Sequence, residues 1–215
     1  MLPRAMQRIA VAVRGLAVLL IFKIVIITWI SYRDYMPPNF RSDFLAGREG
    51  HFFGTYQWAF FPHIVAGPIS LMLGLVLMSD RLRVRSPLWH RRLGKIQVAN
   101  VLLVVVPSGF WMAWYAAMGP IAAVGVACLA LATGMTVALG WRTAVQRRFD
   151  AHRRWMGRCF VLLGSAVVIR VNGGIGLAAG IDADWFYVQI AWTSWLVPLG
   201  IYELIQLWRF RLLLK

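Results

Sequence analysis

Acidic residues are scarce in this chain: eight aspartates and glutamates stand against 23 lysines and arginines, a formal net charge of +15 over 215 residues. Cysteine is scarcer still. Cys128 and Cys159 both fall inside apolar segments at different depths, so two separate buried thiols are expected rather than a bridge. No Walker phosphate loop and no HExxH, CxxC or GxSxG string occurs, which leaves soluble-type kinase, zinc-enzyme and hydrolase chemistry without support. Charged residues make up only 14% of the chain, whereas 60% is hydrophobic and 11 residues are tryptophan. A soluble domain of this length could not keep that much apolar surface from water, and a bilayer removes the need. The cation excess would point to nucleic acid in a soluble protein. Here the cations lie in short loops between apolar runs, the pattern that orients membrane spans, so no nucleic-acid partner is expected.

Six stretches come near the ~20 residues that a helix needs to cross a bilayer. They cover residues 9–31, 56–78, 94–117, 119–141, 156–180 and 185–208. The expected fold is an all-α integral membrane protein, a bundle of six transmembrane helices in a single domain over residues 1–215. The first span is not read as a cleaved signal peptide, because it is too long and Arg14 and Lys23 interrupt it. The N-terminus, the second and fourth loops and the C-terminus together hold 17 of the 23 lysines and arginines. The other side has Arg33, Arg41 and Arg48, and Arg14, Lys23 and Arg170 fall within spans. Both termini are therefore expected in the cytoplasm. The long external loop, 32–55, carries Pro37, Pro38, Gly47, Gly50 and Gly54, which argue against regular structure there. Met118-Gly119-Pro120 leaves almost no loop, so the third and fourth helices must be antiparallel neighbours. Pro68 and Pro107 are expected to kink their helices.

Ionisable groups at bilayer depth are costly and by default face a cavity or a partner. Counting ~1.5 Å per residue puts Lys23, His63 and Arg170 roughly 10–15 Å below the outer surface, on three helices. Ser108, Asn172, Gln189, Thr193 and Ser194 lie at similar depth, with no acid beside them. One reading has Lys23 reaching the interface and Arg170 bonding helix carbonyls or a loop acid such as Asp182 or Glu49. The sharper reading is an outward-opening pocket of His63, Arg170, Asn172, Lys23 and Ser108. Its missing negative charge would come from a carboxylate, a phosphate, or the propionates or carbonyls of a cofactor or quinone. In the inner half, Arg14 and Glu203 share a depth and have opposite signs, so a buried pair is the economical assignment.

Two echoing segments, His90-Arg91-Arg92-Leu93-Gly94-Lys95 and His152-Arg153-Arg154-Trp155-Met156-Gly157-Arg158, precede two of the spans and suggest a duplicated helical hairpin. Flanking arginines anchor helices, but a titrating imidazole is a poor anchor beside guanidinium groups. One reading has both histidines ordering the loops by hydrogen bonds to carbonyls or to Asp80 and Asp150. The other makes His90 and His152 the axial ligands of a haem b, with Arg91 and Arg154 pairing its propionates.

The chain resembles the bacterial predicted-membrane-protein family catalogued as domain of unknown function 2306, over about residues 56 to 175. Phe61-Pro62-His63…Gly67, His90-Arg91-Arg92…Gly94, His152-Arg153-Arg154-Trp155-Met156…Arg158 and Val168-Ile169-Arg170 carry the resemblance. It implies a multi-pass protein of the bacterial inner membrane and singles out His63, His90, His152 and Arg170 without assigning their roles. Two functions stand side by side. One is a membrane redox or small-ligand protein with haem b, quinone or membrane-complex subunits as partners. The other is a non-catalytic accessory subunit or small-solute transporter in which the His-Arg segments only fix helix register.

Overall fold

The computed structural model describes residues 4–213 apart from Asp43, Phe44, Ala46 and Asp182. Among the described residues the chain is helical throughout, with one isolated β-bridge between Tyr35 and Pro38. It forms two compact units, Met1–Ala46 and Gly47–Lys215. The first holds α1 (Arg4–Ser31), followed by a short 3₁₀ turn over Tyr32–Asp34. The second holds α2 (Glu49–Leu77), a short α3 (Asp80–Arg85), α4 (Pro87–Trp114), α5 (Gly119–Val145), α6 (Phe149–Ala178) and α7 (Asp184–Leu213).

Five helices are long and apolar enough to cross a membrane: the Gly15–Asp34 segment, α2, α4, α5 and α6. The sixth expected span is a 30-residue helix, α7. Its interfacial tryptophans together with Gln189, Glu203 and Gln206 dilute its apolar character. The expectation of a six-span bundle thus resolves into five spans that satisfy length and composition, plus one long helix that is more polar.

Helix starts differ from the apolar boundaries. α4 begins at Pro87 and α6 at Phe149, each seven residues before its expected span. Pro87 suits a first turn, where its missing N–H has no partner to lose, and the arginines and leucines that follow are good helix formers. The His-Arg-Arg segments are therefore first turns of helices, not loops. The external connection is also more regular than its glycines suggest. A helix starts at Glu49 and passes through a π turn over Phe52–Tyr56, where Gly54 leaves helical geometry.

α4 and α5 meet through a tight turn closed by Gly119 at φ +81°, and α5 and α6 through one at Arg147, φ 58°. Packing follows the small residues. A Cβ on Gly125 would come 3.0 Å from Trp192, and one on Gly176 would come 2.2 Å from Phe186, so α7 lies directly on α5 and α6. Val101, Val137 and Cys159 form a buried core among α4, α5 and α6. Thr133, Thr136 and Thr143 return their hydroxyls to carbonyls one turn back, which satisfies them without a partner helix. Cys128 and Cys159 are free thiols.

Prolines do not end these helices. Pro62 and Pro68 both lie inside the helix over Gln57–Leu77. Pro107 follows a second π turn, Val101–Val105, in the middle of α4. An extra residue in one turn and a missing N–H just after it loosen the backbone ladder at that level.

Candidate functional site

Two groups of polar side chains lie at opposite ends of the Gly47–Lys215 unit. The first is built on α2, α4 and α6. His63 Nδ1 lies 3.0 Å from Ser108 Oγ, and the single hydroxyl proton of Ser108 is directed at the carbonyl of Val104 one turn back. With that proton so placed, Ser108 Oγ accepts from His63 Nδ1, and the imidazole also hydrogen-bonds the backbone of Val105. Gly109 makes the contact feasible, because a Cβ there would approach His63 Cε1 to 3.0 Å. Ser108 is buried and His63 half-buried. Arg170 comes within electrostatic reach of the imidazole and donates from Nη1 to the carbonyl of Ala166 at 3.1 Å.

Three of the five pocket residues expected from depth alone, His63, Ser108 and Arg170, are thus brought together. Asn172 lies half-buried two residues beyond Arg170 on α6. Lys23 belongs to the first unit, where its side chain is exposed on α1.

Above this group, towards the chain end of α4, aromatic rings enclose His51. It stacks on Tyr115 with centroids 4.9 Å apart and meets Tyr56 edge-on at 5.5 Å. Thr55 Oγ1 and Tyr115 Oη share a 2.7 Å hydrogen bond across the two helices. Periodicity alone did not reveal this cluster, because the π turn that presents Tyr56 adds a residue to the helical repeat.

The second group sits at the end of the bundle that carries most of the arginines. His152 Nδ1 lies 2.9 Å from the carbonyl of Gly140 and must be the donor, since a carbonyl has no proton to give. Its lone pair is then on Nε2. His90, one helix away, lies within electrostatic reach of His152, and its Nδ1 is buried with no hydrogen-bond partner. Neither histidine bonds Asp80 or Asp150. Those acids are taken up by Arg83 and Arg153 within their own helices. Arg91 and Arg154 are exposed beside the two histidines.

Glu203 has a different cation from the one its depth suggested. Arg158 holds both carboxylate oxygens, Nε to Oε1 at 2.6 Å and Nη2 to Oε2 at 2.8 Å, and its guanidinium lies 4.5 Å over the Trp155 ring. The Arg14 side chain, the partner expected from depth, lies outside the described residues. A fork-to-fork pair fixes orientation as well as charge, so α7 is clamped to the third turn of α6. Tyr202 adds a second clamp by donating to the carbonyl of Arg154 at 3.3 Å.

Between the two groups, the α2–α4 seam carries buried amides. Gln97 Nε2 donates to the carbonyl of Ser70 at 2.9 Å, and Asn100 Nδ2 donates to Ser70 Oγ at 2.8 Å. Gln97 is 1% exposed and Ser70 0%, yet Gln97 Oε1 has no hydrogen-bond partner. An unsatisfied buried oxygen of this kind costs about 1–3 kcal/mol. No group of three or more His, Cys, Asp or Glu side chains capable of holding a metal ion occurs among the described residues.

No curated protein and no solved structure matches the chain. A family model does, across residues 60–206, and it spans every group described here except the His51 ring cluster and the loop before it. The chain therefore belongs to the DUF2306 family of predicted membrane proteins.

Proposed function

We propose that the protein is a small-ligand or redox protein of the bacterial inner membrane, with both termini in the cytoplasm and a ligand site in the outer half around His63, Ser108 and Arg170. The observation that carries it is the 3.0 Å His63–Ser108 contact with Arg170 in electrostatic reach. A ligand there would offer an acceptor to the guanidinium, beside the contacts Arg170 already makes, and a donor to the imidazole. A carboxylic acid or a quinol has both on neighbouring atoms; a quinone meets only the first need.

Tryptophan-fluorescence titration of the detergent-purified protein with benzoate, at a pH low enough to keep it as benzoic acid, and with a short-chain benzoquinol tests this. Saturable binding that weakens about tenfold or more in Arg170→Leu and His63→Leu is expected, since a charge-assisted hydrogen bond contributes about 1.5–3 kcal/mol. Failure of both probes, or unchanged binding in both variants, would overturn it.

A second reading, haem b at the other end, is favoured by the donor chemistry of His90 and His152. The lone pair of His152 is on Nε2, and a buried nitrogen of His90 lacks a partner nearby. His90 and His152 would hold the iron, and Arg91 and Arg154 the propionates. The haem would supply one-electron transfer. The chain's own residues fix the ligand tautomer through Gly140 and hold the third turn of α6 against α7 through Arg158 and Glu203. A Soret band after haem-replete expression, lost in His90→Ala and in His152→Ala, is the expected result. Colourless protein would leave the two segments as structural anchors.

A further inference from the structure

The ligand and haem readings leave the middle of the α2–α4 seam without a role. His63, Gly67, Ser70 and Gly74 recur at four-, three- and four-residue steps, which places them on one stripe of α2. Each point whose contacts are defined faces α4 or α6. His63 meets Ser108, Ser70 meets Asn100 and Gln97, and a Cβ on Gly74 would come 2.8 Å from Phe160 and 3.9 Å from Gln97 Nε2. Gly67 lies between them on the stripe, and a Cβ there would meet nothing within 4 Å. The stripe therefore has room beside Gly67, which is itself partly exposed, with polar groups above and below it. It also has one buried oxygen, Gln97 Oε1, that needs a donor.

We infer that this seam is a hydrated half-path for protons, running from His63 past Gly67 to Ser70, Asn100 and Gln97, and closed at Gly74 by the ring of Phe160. Water is the ligand class the groups fit. It can donate to Gln97 Oε1, accept from amide and hydroxyl donors, and occupy a gap that needs no side chain. Pro68 and the π turn over Val101–Val105 loosen the backbone on both walls at this level. The amides and Ser70 orient water and keep their own protons. Each hop breaks one O–H bond of a hydronium or water and forms one on the next, and no electron moves. Once Phe160 is removed, the net event is one proton lost from one aqueous phase and gained by the other. Phe160 blocks it, because a benzene ring against Gly74 leaves no polar contact between Gln97 and the arginine-rich end. The inference does not depend on benzoate or quinol binding, and none of the residues varied in its test belongs to that site.

Proteoliposomes with a potassium diffusion potential and an internal pH dye read the path directly. Wild-type protein should pass protons near the rate of protein-free vesicles, and Phe160→Ala should raise that rate about tenfold or more. Phe160→Ala/Gln97→Leu and Phe160→Ala/Gly67→Leu should return it to background. A leak in Phe160→Ala that persists in both double variants would overturn the inference, as would no leak in Phe160→Ala. Hydration is read separately, in a Cys128→Ser/Cys159→Ser background that still elutes as a folded species. Gly67→Cys and Ser70→Cys should react with a water-soluble methanethiosulfonate, whereas Ile69→Cys, on an exposed face of the same helix, should not. Equal inertness of all three would also overturn it.

Discussion

The two His-Arg-Arg segments share a string of residue types and the same local structure, a helical first turn, yet they are held quite differently. In the segment from His90, Arg92 stacks at 5.6 Å on Trp89 of its own turn, His90 Nδ1 bonds nothing, and Lys95 is exposed. In the segment from His152, the imidazole donates to α5, Arg158 grips Glu203 on α7, and Tyr202 reaches the backbone at Arg154. One segment makes its cation contact within its own turn, and the other is the junction of three helices. Similar sequence fixed the helix start in both cases; the neighbouring helices decided how much each cation matters.

The largest contrast should come from the cation after the glycine. Arg158→Leu removes one partner of a partly buried bidentate pair and should cost about 2 kcal/mol or more of stability, less than a fully buried pair because both side chains retain some exposure. Lys95→Leu in the other segment should stay within about 0.5 kcal/mol. Heat-step elution profiles in detergent read both, and similar losses would mean that the segments are equivalent after all.

The glycines give the next contrast. A Cβ on Gly157 would sit 2.2 Å from Tyr202 Oη, so Gly157→Ala should destabilise by about 1–3 kcal/mol. Gly94 has nothing within 4 Å, and Gly94→Ala should stabilise by about 0.5–1 kcal/mol through helix propensity alone. A stabilising Gly157→Ala would show that α7 does not lie where Tyr202 places it.

The histidines sharpen the comparison further. His152→Ala loses a hydrogen bond to Gly140 and should cost about 1 kcal/mol, whereas His90→Ala loses none through Nδ1 and should cost less. If haem is bound, both variants lose the Soret band equally, so the spectrum separates shared ligation from unequal structural roles. The smallest effect belongs to Asp150→Asn. The Arg153–Asp150 pair is mostly exposed and lies within one helix, and its loss should change stability by about 0.3–0.5 kcal/mol.

Depth along a helix was legible because residue number converts to height at a fixed rise, so His63, Ser108 and Arg170 could be placed at one level without coordinates. Direction around the helix was less so. Arg14 and Glu203 share a depth, but the cation that faces Glu203 is Arg158, which counting alone had assigned to the flanking anchors. Helix starts were set too late for a related reason: arginine and leucine prolong a helix past its apolar edge, and hydropathy does not register that. The Gln97–Ser70–Asn100 contacts were invisible as well, since single amides in apolar runs do not reveal which neighbour they meet.

By itself the sequence determined that this is a membrane protein of long apolar helices with most of its cations outside the apolar runs. Those properties follow from composition and one-dimensional order, which a bilayer reads directly. Only the tertiary structure decided which of two matching histidine segments bears a load, which glycine carries a neighbour's ring, and that Gln97 faces a seam instead of lipid. Those are matters of rotation and proximity, and residues far apart in the chain settle them jointly.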